Sequence, residues 1–98
     1  MFDKMKQLME MQKKMQEMKR ELDNTHFEIS SPDGLVKIMM NGSQEVQNVV
    51  VKDDFQGVDK THLEKALKDT YNRAIKRSHD LAADKMKSMT GLNIPGLT

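Results

Sequence analysis

The sequence predicts an α+β fold in which one helix, a three-stranded antiparallel meander and a second, long helix follow one another (αβββα). Three observations support this fold: a first block without Gly, Pro or β-branched residues, a middle block that alternates at period two between turn signals, and a last block with apolar residues at helical intervals. The 98 residues leave room for one small domain, predicted over residues 1–90, with a flexible tail over residues 91–98.

The first predicted helix runs to about Asp23 and is built almost wholly from Met, Lys, Gln, Glu and Leu, which are good helix formers. Its apolar residues recur in heptads, which predicts a narrow stripe that lies on a partner helix. A Met-rich row of this kind favours a core or dimer seam, with an adaptable groove for a partner protein as the alternative. The stripe consists of Met1, Leu8, Met11, Met15, Met18 and Leu22, and it is widened by Met5 and Met9.

The first strand is predicted where Phe27 and Ile29 alternate with polar residues. It is followed by Ser31-Pro32-Asp33-Gly34, in which Pro at the second and Gly at the fourth position predict a type I turn. The strand therefore ends at a tight reversal of the chain.

Two further strands are predicted from Leu35 to Met40 and from Val46 to Val51. Between them, Asn41-Gly42 predicts a type I′ hairpin turn with positive φ at both residues. The middle block thus forms an antiparallel meander.

The last helix is predicted to open at Thr61 and Glu64, which have the spacing of a capping box. Its apolar positions continue to about Met89, which gives roughly 30 residues and about 45 Å, and Thr90-Gly91 predicts its end. Two long helices extend well beyond strands of about 20 Å. Because a chain of this size buries a limited core, we expect a homodimer.

Composition excludes several functional classes. The chain has no Cys, so disulfides, thiolate zinc sites and cysteine nucleophiles are ruled out. His26, His62 and His79 are too widely spaced to form a local metal site, and no phosphate loop, dinucleotide fingerprint or nucleophile elbow occurs. We therefore expect a protein without enzymatic activity, cofactor, metal or small-molecule substrate. The longest apolar runs are far shorter than a membrane span, which predicts a cytoplasmic protein with no membrane partner.

Charge is distributed unevenly along the chain. Residues 1–23 carry six basic and five acidic side chains, residues 24–59 two and six, and residues 60–89 eight and four. The three net charges, +1, −4 and +4, sum to the +1 of the whole chain. An acidic middle block thus separates a balanced helix from a basic one, and such asymmetry can mark an element that binds a polyanion.

Several short segments have a distinctive order and spacing along the chain: Met11 to Met18, Gly34 to Ile38, Asn41-Gly42, Val49 and Val51, Leu63-Glu64, Ala66-Leu67, Tyr71 to Ala74, and Pro95-Gly96. In these segments the chain resembles the YbaB/EbfC family of bacterial nucleoid-associated proteins. The resemblance implies a dimer formed through the sheet region, with long helices that project like the arms of tweezers. It also implies DNA binding in the nucleoid, with a role in nucleoid organisation or gene regulation.

The expected DNA contacts are cations on the two helices, because long basic side chains on projecting helices can reach phosphates. The same charges at i,i+3 and i,i+4 spacing are also typical of an ordinary solvated helix. With four aromatic residues and no short helix-turn-helix pair, we expect duplex binding with little sequence specificity. The alternative is a non-DNA adaptor or scaffold whose Met-rich arms grip a partner protein. The predicted contacts are Lys4, Lys6, Lys13, Lys14, Lys19, Arg20, Arg73, Lys76, Arg77, Lys85 and Lys87.

Overall fold

The predicted order of elements is confirmed by the computed structural model, which describes residues 2–52 and 59–90. The three strands form one antiparallel sheet in the order β1-β2-β3. The predicted tail over residues 91–98, Met1 of the stripe and the residues from 53 to 58 lie outside the described residues. The elements are α1 (Phe2–Asp23), β1 (His26–Ser30), β2 (Val36–Asn41), β3 (Val46–Val51) and α2 (Lys60–Thr90).

The core lies between the central strand β2 and helix α2. Val36, Ile38 and Met40 alternate along β2, and all three are buried. On α2, small buried residues recur every four positions and allow the helix to lie close to the sheet. These residues are Ala66, Thr70, Ala74 and Ser78.

Strand β3 is the less covered edge of the sheet. Helix α2 packs mainly over β2 and β1, so Val46, Val49 and Val50 remain 43–44% exposed. The pairing of β2 with β3 also shifts register between Met39 and Met40. A single chain therefore leaves a β-branched, apolar edge strand open to solvent.

The two hairpin turns differ in how well the sequence predicts them. The turn at Ser31 is confirmed, because the Gly34 amide donates to the Ser31 carbonyl over 2.9 Å and Gly34 has a φ of +74°. The type I′ turn predicted at Asn41-Gly42 is wrong. Positive φ occurs at Gln44 instead, whose amide donates to the Asn41 carbonyl over 3.3 Å. The loop is therefore one residue longer, with the left-handed residue at its third position.

Gly42 has a different role from the predicted one, since it allows the turn to approach helix α1. A Cβ at this position would lie 2.8 Å from Leu22 Cδ2 and 3.1 Å from the Leu22 carbonyl oxygen. The Gly42 amide donates to the carbonyls of Leu22 (2.9 Å) and Thr25 (3.0 Å). The last carbonyls of a helix have no partner within the helix, and the turn supplies one here.

The β2–β3 turn, residues 41–45, joins both helices. Asn41 Nδ2 donates to the Asp23 carbonyl over 3.2 Å, and the Ser43 hydroxyl donates to the Asp23 carboxylate. On its other side the turn contacts α2, where the Gln44 amide donates to Ser78 Oγ over 3.0 Å. The orientation of α1 is thus fixed by a turn of the sheet that also contacts α2.

The N-cap of helix α2 lies two residues before the Thr61 of the predicted capping box. Asp59 is its N-cap, because Asp59 Oδ1 accepts the His62 amide over 2.6 Å and the Asp59 carbonyl accepts the Leu63 amide over 3.2 Å. The prediction that Thr61 and Glu64 open the helix is therefore wrong. Asp is as good an N-cap as Thr, and the spacing of apolar residues does not separate two candidates so close together.

Helix α1 projects from the rest of the chain. Leu22 is buried and Met18 half-buried, whereas every side chain from residue 3 to residue 17 is exposed. At 22 residues, α1 is about 33 Å long, and the molecule measures 68 × 26 × 16 Å. Only the end of the predicted Met stripe is covered within the chain, so its packing on a partner stays a prediction.

Candidate nucleic-acid interface

The projecting part of α1 carries a regular row of cations. Lys6, Lys13 and Arg20 are seven residues apart, which places them on one side of the helix at steps of about 10.5 Å. All three are exposed. Lys4 and Lys14 are exposed as well, and none of these five cations forms an ion pair with another residue in the described part of the chain.

A row of acids runs beside the basic row on α1. Asp3, Glu10 and Glu17 each precede a member of the basic row by three residues, so the two rows are neighbours on the helix surface. Charge totals do not reveal this arrangement, although the seven-residue spacing of each charge sign is visible in the sequence. A polyanion would therefore have to approach α1 from the side away from the acidic row.

Lys19, another predicted contact on α1, forms an ion pair within the same helix. Its Nζ lies 3.1 Å from Asp23 Oδ2, one turn later. Donation from the Ser43 hydroxyl and then from Lys19 lowers the pKa of Asp23, so this carboxyl stays charged at neutral pH. Lys19 therefore contributes less to an open basic surface than Lys13 or Lys14.

The predicted contacts on α2 are in more varied surroundings. Arg73 Nη1 donates to the Ser30 carbonyl over 3.0 Å, and Lys76 Nζ lies 3.1 Å from Asp80 Oδ2. Arg77 is exposed, and Lys87 lies half-buried in the last turn. Cations of α2 such as Arg73 and Lys76 thus already have partners within the protein, whereas those in the projecting part of α1 form no ion pair with other described residues.

Lys85 joins the two helices, because its Nζ forms an ion pair with the Glu21 carboxylate of α1. Lys19 and Arg20 of α1 lie within two residues of Glu21 in the sequence. Lys4, Lys6, Lys13 and Lys14 lie farther out along the projecting helix. The structure therefore divides the predicted contacts into an outer group on α1 and an inner group near the Glu21–Lys85 pair and along α2.

An open cleft of about 950 Å³ lies between the 31–34 turn and the first half of α2. Its lining includes Lys65, Asp69 and Arg73, along with Asp33 and His62, whose Oδ2 and Nε2 are 2.8 Å apart. Because cations and carboxylates alternate there, the cleft does not concentrate positive charge. Donation from His62, the Ser31 hydroxyl and the Leu35 amide holds the pKa of Asp33 well below its usual range.

Other kinds of site find little support in residues 2–52 and 59–90. No group of three or more His, Cys, Asp or Glu side chains in these ranges is placed to hold a metal ion. No helix there has the length and apolar character needed to cross a membrane. Lys4, Lys6, Lys13 and Lys14, which are exposed and form no ion pair with other described residues, are the candidate site in this part of the chain.

Comparisons with known proteins agree with the resemblance noted in the sequence. The model of the YbaB/EbfC DNA-binding family matches residues 1–93. A nucleoid-associated protein of Clostridium kluyveri is 33% identical over 95 residues, which cover 95% of this chain and 83% of that protein. A nucleoid-associated protein of Hahella chejuensis is 38% identical over 96 residues, covering 97% and 89%.

A crystal structure of an uncharacterized protein from Helicobacter pylori has the same fold. Its TM-score to this chain is 0.79 at 20% sequence identity, and the match covers 92% of this chain and 97% of that one. At this identity the likeness concerns the fold alone, which is the predicted αβββα arrangement.

Proposed function

This chain belongs to the YbaB/EbfC DNA-binding family, and from that premise we propose that it is a nucleoid-associated protein that binds double-stranded DNA as a homodimer. In this proposal the cations of α1 and α2 contact phosphates, and the protein helps to organise the nucleoid with little sequence specificity. The observation that carries the proposal is the row of exposed cations on a helix that projects from the fold, in a chain that matches the DNA-binding family over residues 1–93.

Contact with phosphates is favoured by the surroundings of the α1 cations. Lys13 and Lys14 have no ion pair with other described residues and are exposed, so binding a phosphate requires neither breaking a pair nor moving the backbone. Each neutralised phosphate releases condensed counterions, which makes such binding dependent on salt.

Little sequence specificity follows from the side chains available. Recognition of single-stranded bases relies on aromatic surfaces, and Tyr71 is the one aromatic residue with an exposed side chain among those whose burial the structure describes. The outer group of contacts consists of Lys side chains, which approach phosphates as point charges. We therefore expect preferences to arise from DNA shape more than from base contacts.

The homodimer is supported by the uncovered apolar surface along β3. Leu67, Tyr71 and Ile75 are four residues apart and follow one edge of the side of α2 that faces the sheet. The opposite edge of that side, which includes Asp69 and Arg73, lines the cleft next to the end of β1. Because β1 and β3 lie at opposite edges of the sheet, the row of Leu67, Tyr71 and Ile75 lies on the β3 side. Together with Val46 and Val49, it forms a surface that a second copy can cover.

The central experiment is a titration of a generic duplex and of a scrambled duplex of the same length at several salt concentrations. We expect similar affinities for both duplexes and a linear fall of log affinity with log salt. Absence of binding at about 50 mM salt, where phosphate contacts are strong, would contradict the proposal.

The site is tested by charge reversal at Lys13 and Lys14. Lys13→Glu/Lys14→Glu should weaken binding without unfolding the protein, because both side chains are exposed. Lys60→Glu/Lys68→Glu is the matched control, since it changes the net charge equally at exposed positions of α2 outside the proposed contacts. Equal losses in both variants would indicate a general charge effect in place of a site on α1.

The second candidate function is a protein adaptor that grips its partner with α1. The observation that favours it is the exposure of Leu8, Met9 and Met11, which are 62–67% accessible on the projecting helix. An adaptor would show no salt-dependent duplex binding, so the same titration separates the two functions.

A further inference from the structure

Helix α1 carries a set of exposed methionine thioethers. Met5, Met9, Met11 and Met15 are 56–67% exposed, and their positions place them within one broad side of the helix. In contrast, Met40 is completely buried in the core. The chain thus contains thioethers at the two extremes of access to small molecules in solvent.

These methionines also stabilise the helix on which they lie. Side chains of α1 from residue 3 to residue 17 are exposed, so the other described residues cover little of this part of α1. Isolated helices depend on propensity and on apolar i,i+3 and i,i+4 pairs. Met5 and Met9 form one such pair, Met11 and Met15 form another, and Leu8 lies three residues from Met5 and from Met11.

We propose that Met5, Met9, Met11 and Met15 form a reversible oxidation site for a peroxide, and that their oxidation weakens the DNA binding of α1. The effect on DNA rests on the proposed function; the site itself does not. The thioether sulfur donates an electron pair to one oxygen of hydrogen peroxide and the O–O bond breaks; that oxygen stays on the sulfur as a sulfoxide, and the other leaves as water. Two thiols reverse the step through a methionine sulfoxide reductase, giving the thioether, a disulfide and water.

Oxidation lowers the affinity for DNA by destabilising the projecting part of α1. Each sulfoxide replaces an apolar group with a strongly polar one, which removes the apolar pairs that support the projecting part of α1. When this part frays, Lys6 and Lys13 lose their fixed separation. Ordering the helix again on DNA then costs conformational entropy, so affinity falls while the sheet and α2 stay folded.

The site is tested by limited treatment of the full-length protein with hydrogen peroxide, followed by peptide mapping for added oxygen. Met5, Met9, Met11 and Met15 should be oxidised well before Met40, and circular dichroism should show a partial loss of helix. Oxidation of Met40 at the same rate, or unchanged helix content after oxidation of the four, overturns the inference. Both measurements are independent of DNA.

The consequence is tested with a variant in which Met5, Met9, Met11 and Met15 are all Leu, which keeps an apolar helix former at each position. We expect peroxide to lower the duplex affinity of the original protein by about fivefold or more, with recovery after reductase treatment, and to leave the variant unaffected. Equal sensitivity of both proteins overturns the inference. Failure of the untreated protein to bind DNA contradicts the proposed function alone, because mapping and helix content still decide the oxidation site.

Discussion

Single atoms decide how closely the β2–β3 turn and helix α1 approach each other. Gly42→Ala should lower the free energy of unfolding by about 1–3 kcal/mol, because the new Cβ would meet Leu22 at 2.8 Å and the Leu22 backbone at 3.1–3.3 Å. Chemical denaturation at fixed protein concentration measures the change. Gly34→Ala is an informative comparison, since it has open space but a φ of +74°, so its cost arises from backbone conformation alone. An unchanged midpoint for Gly42→Ala would contradict the close approach.

The buried hydroxyl of Thr70 is a second feature of this scale. Thr70 is completely buried, and its Oγ1 has no hydrogen-bond partner in the described residues. Thr70→Val keeps the shape and removes the unpaired hydroxyl, so we expect it to stabilise the fold by about 1 kcal/mol. Ser78→Ala should do the opposite, because Ser78 Oγ accepts the Gln44 amide over 3.0 Å. Thermal denaturation of both variants checks the contrast, which disappears if Thr70 is paired in solution.

Asp33 links stability to pH. Hydrogen bonds from His62, Ser31 and Leu35 depress its pKa from the ordinary value of 3.8. A carboxyl whose pKa is depressed by folding stabilises the folded state at any pH above its pKa in the unfolded chain. This stabilisation is lost as the pH falls below about 4. Asp33→Asn should therefore be less stable than the original protein at pH 7, with a smaller difference at pH 3. Denaturation curves at the two pH values test this, and an equal difference at both would contradict the role of the charge.

At the scale of elements, periodicity was sufficient to predict the two helices, the three strands and their order. Periodicity depends on burial, which is repeated over many residues, so small errors at single positions do not change it. The ends of elements depend on one or two hydrogen bonds. Asp59 and Thr61 are both good caps, and only the geometry of the folded helix shows that Asp59 accepts the His62 amide.

Tertiary contacts explain the wrong turn type at Asn41-Gly42. The local preference of Asn-Gly for a type I′ turn competes with the packing of Leu22 and with the Asn41 bond to Asp23. Both partners are about 20 residues away in sequence, so a local motif carries no information about them. The cations of the candidate site are visible in the sequence because their charge depends on residue type alone. Their pairing is not visible, because partners such as Lys85 and Glu21 are far apart in the chain.

The basic row of α1 allows a prediction of how strongly the duplex affinity depends on salt. Replacing Lys6, Lys13 and Arg20 together with Gln should reduce the slope of log affinity against log salt by up to about 2.7 for each protomer whose α1 contacts the duplex, since each phosphate contact contributes about 0.9. Duplex titrations between low and moderate salt measure the slope. Lys60, Lys65 and Lys68 replaced with Gln serve as the control, and an equal change in both variants would show that the row itself is not the contact.

The assembly of the whole molecule depends on the uncovered side of the sheet. Val49→Asp places a charge on the edge strand in a surface that we propose is buried between two copies, so it should shift the protein to monomer at micromolar concentration. Light scattering gives the mass directly. Val50 is equally exposed, at 43% against 44%, but its side chain lies on the opposite face of the sheet. Val50→Asp is therefore the matched control, and a dimer that persists in Val49→Asp would place the contact elsewhere.

The attachment of α1 at a single end has a mechanical consequence. Lys4 is 18 residues before Leu22, a distance of about 27 Å along the helix. A tilt of about 10° at Leu22 would therefore move the backbone at Lys4 by about 5 Å, which exceeds the roughly 3.4 Å axial spacing of phosphates along one strand of a duplex. The helix acts as a lever, and under the proposed function the close approach of Gly42 to Leu22 would set which phosphate Lys4 meets.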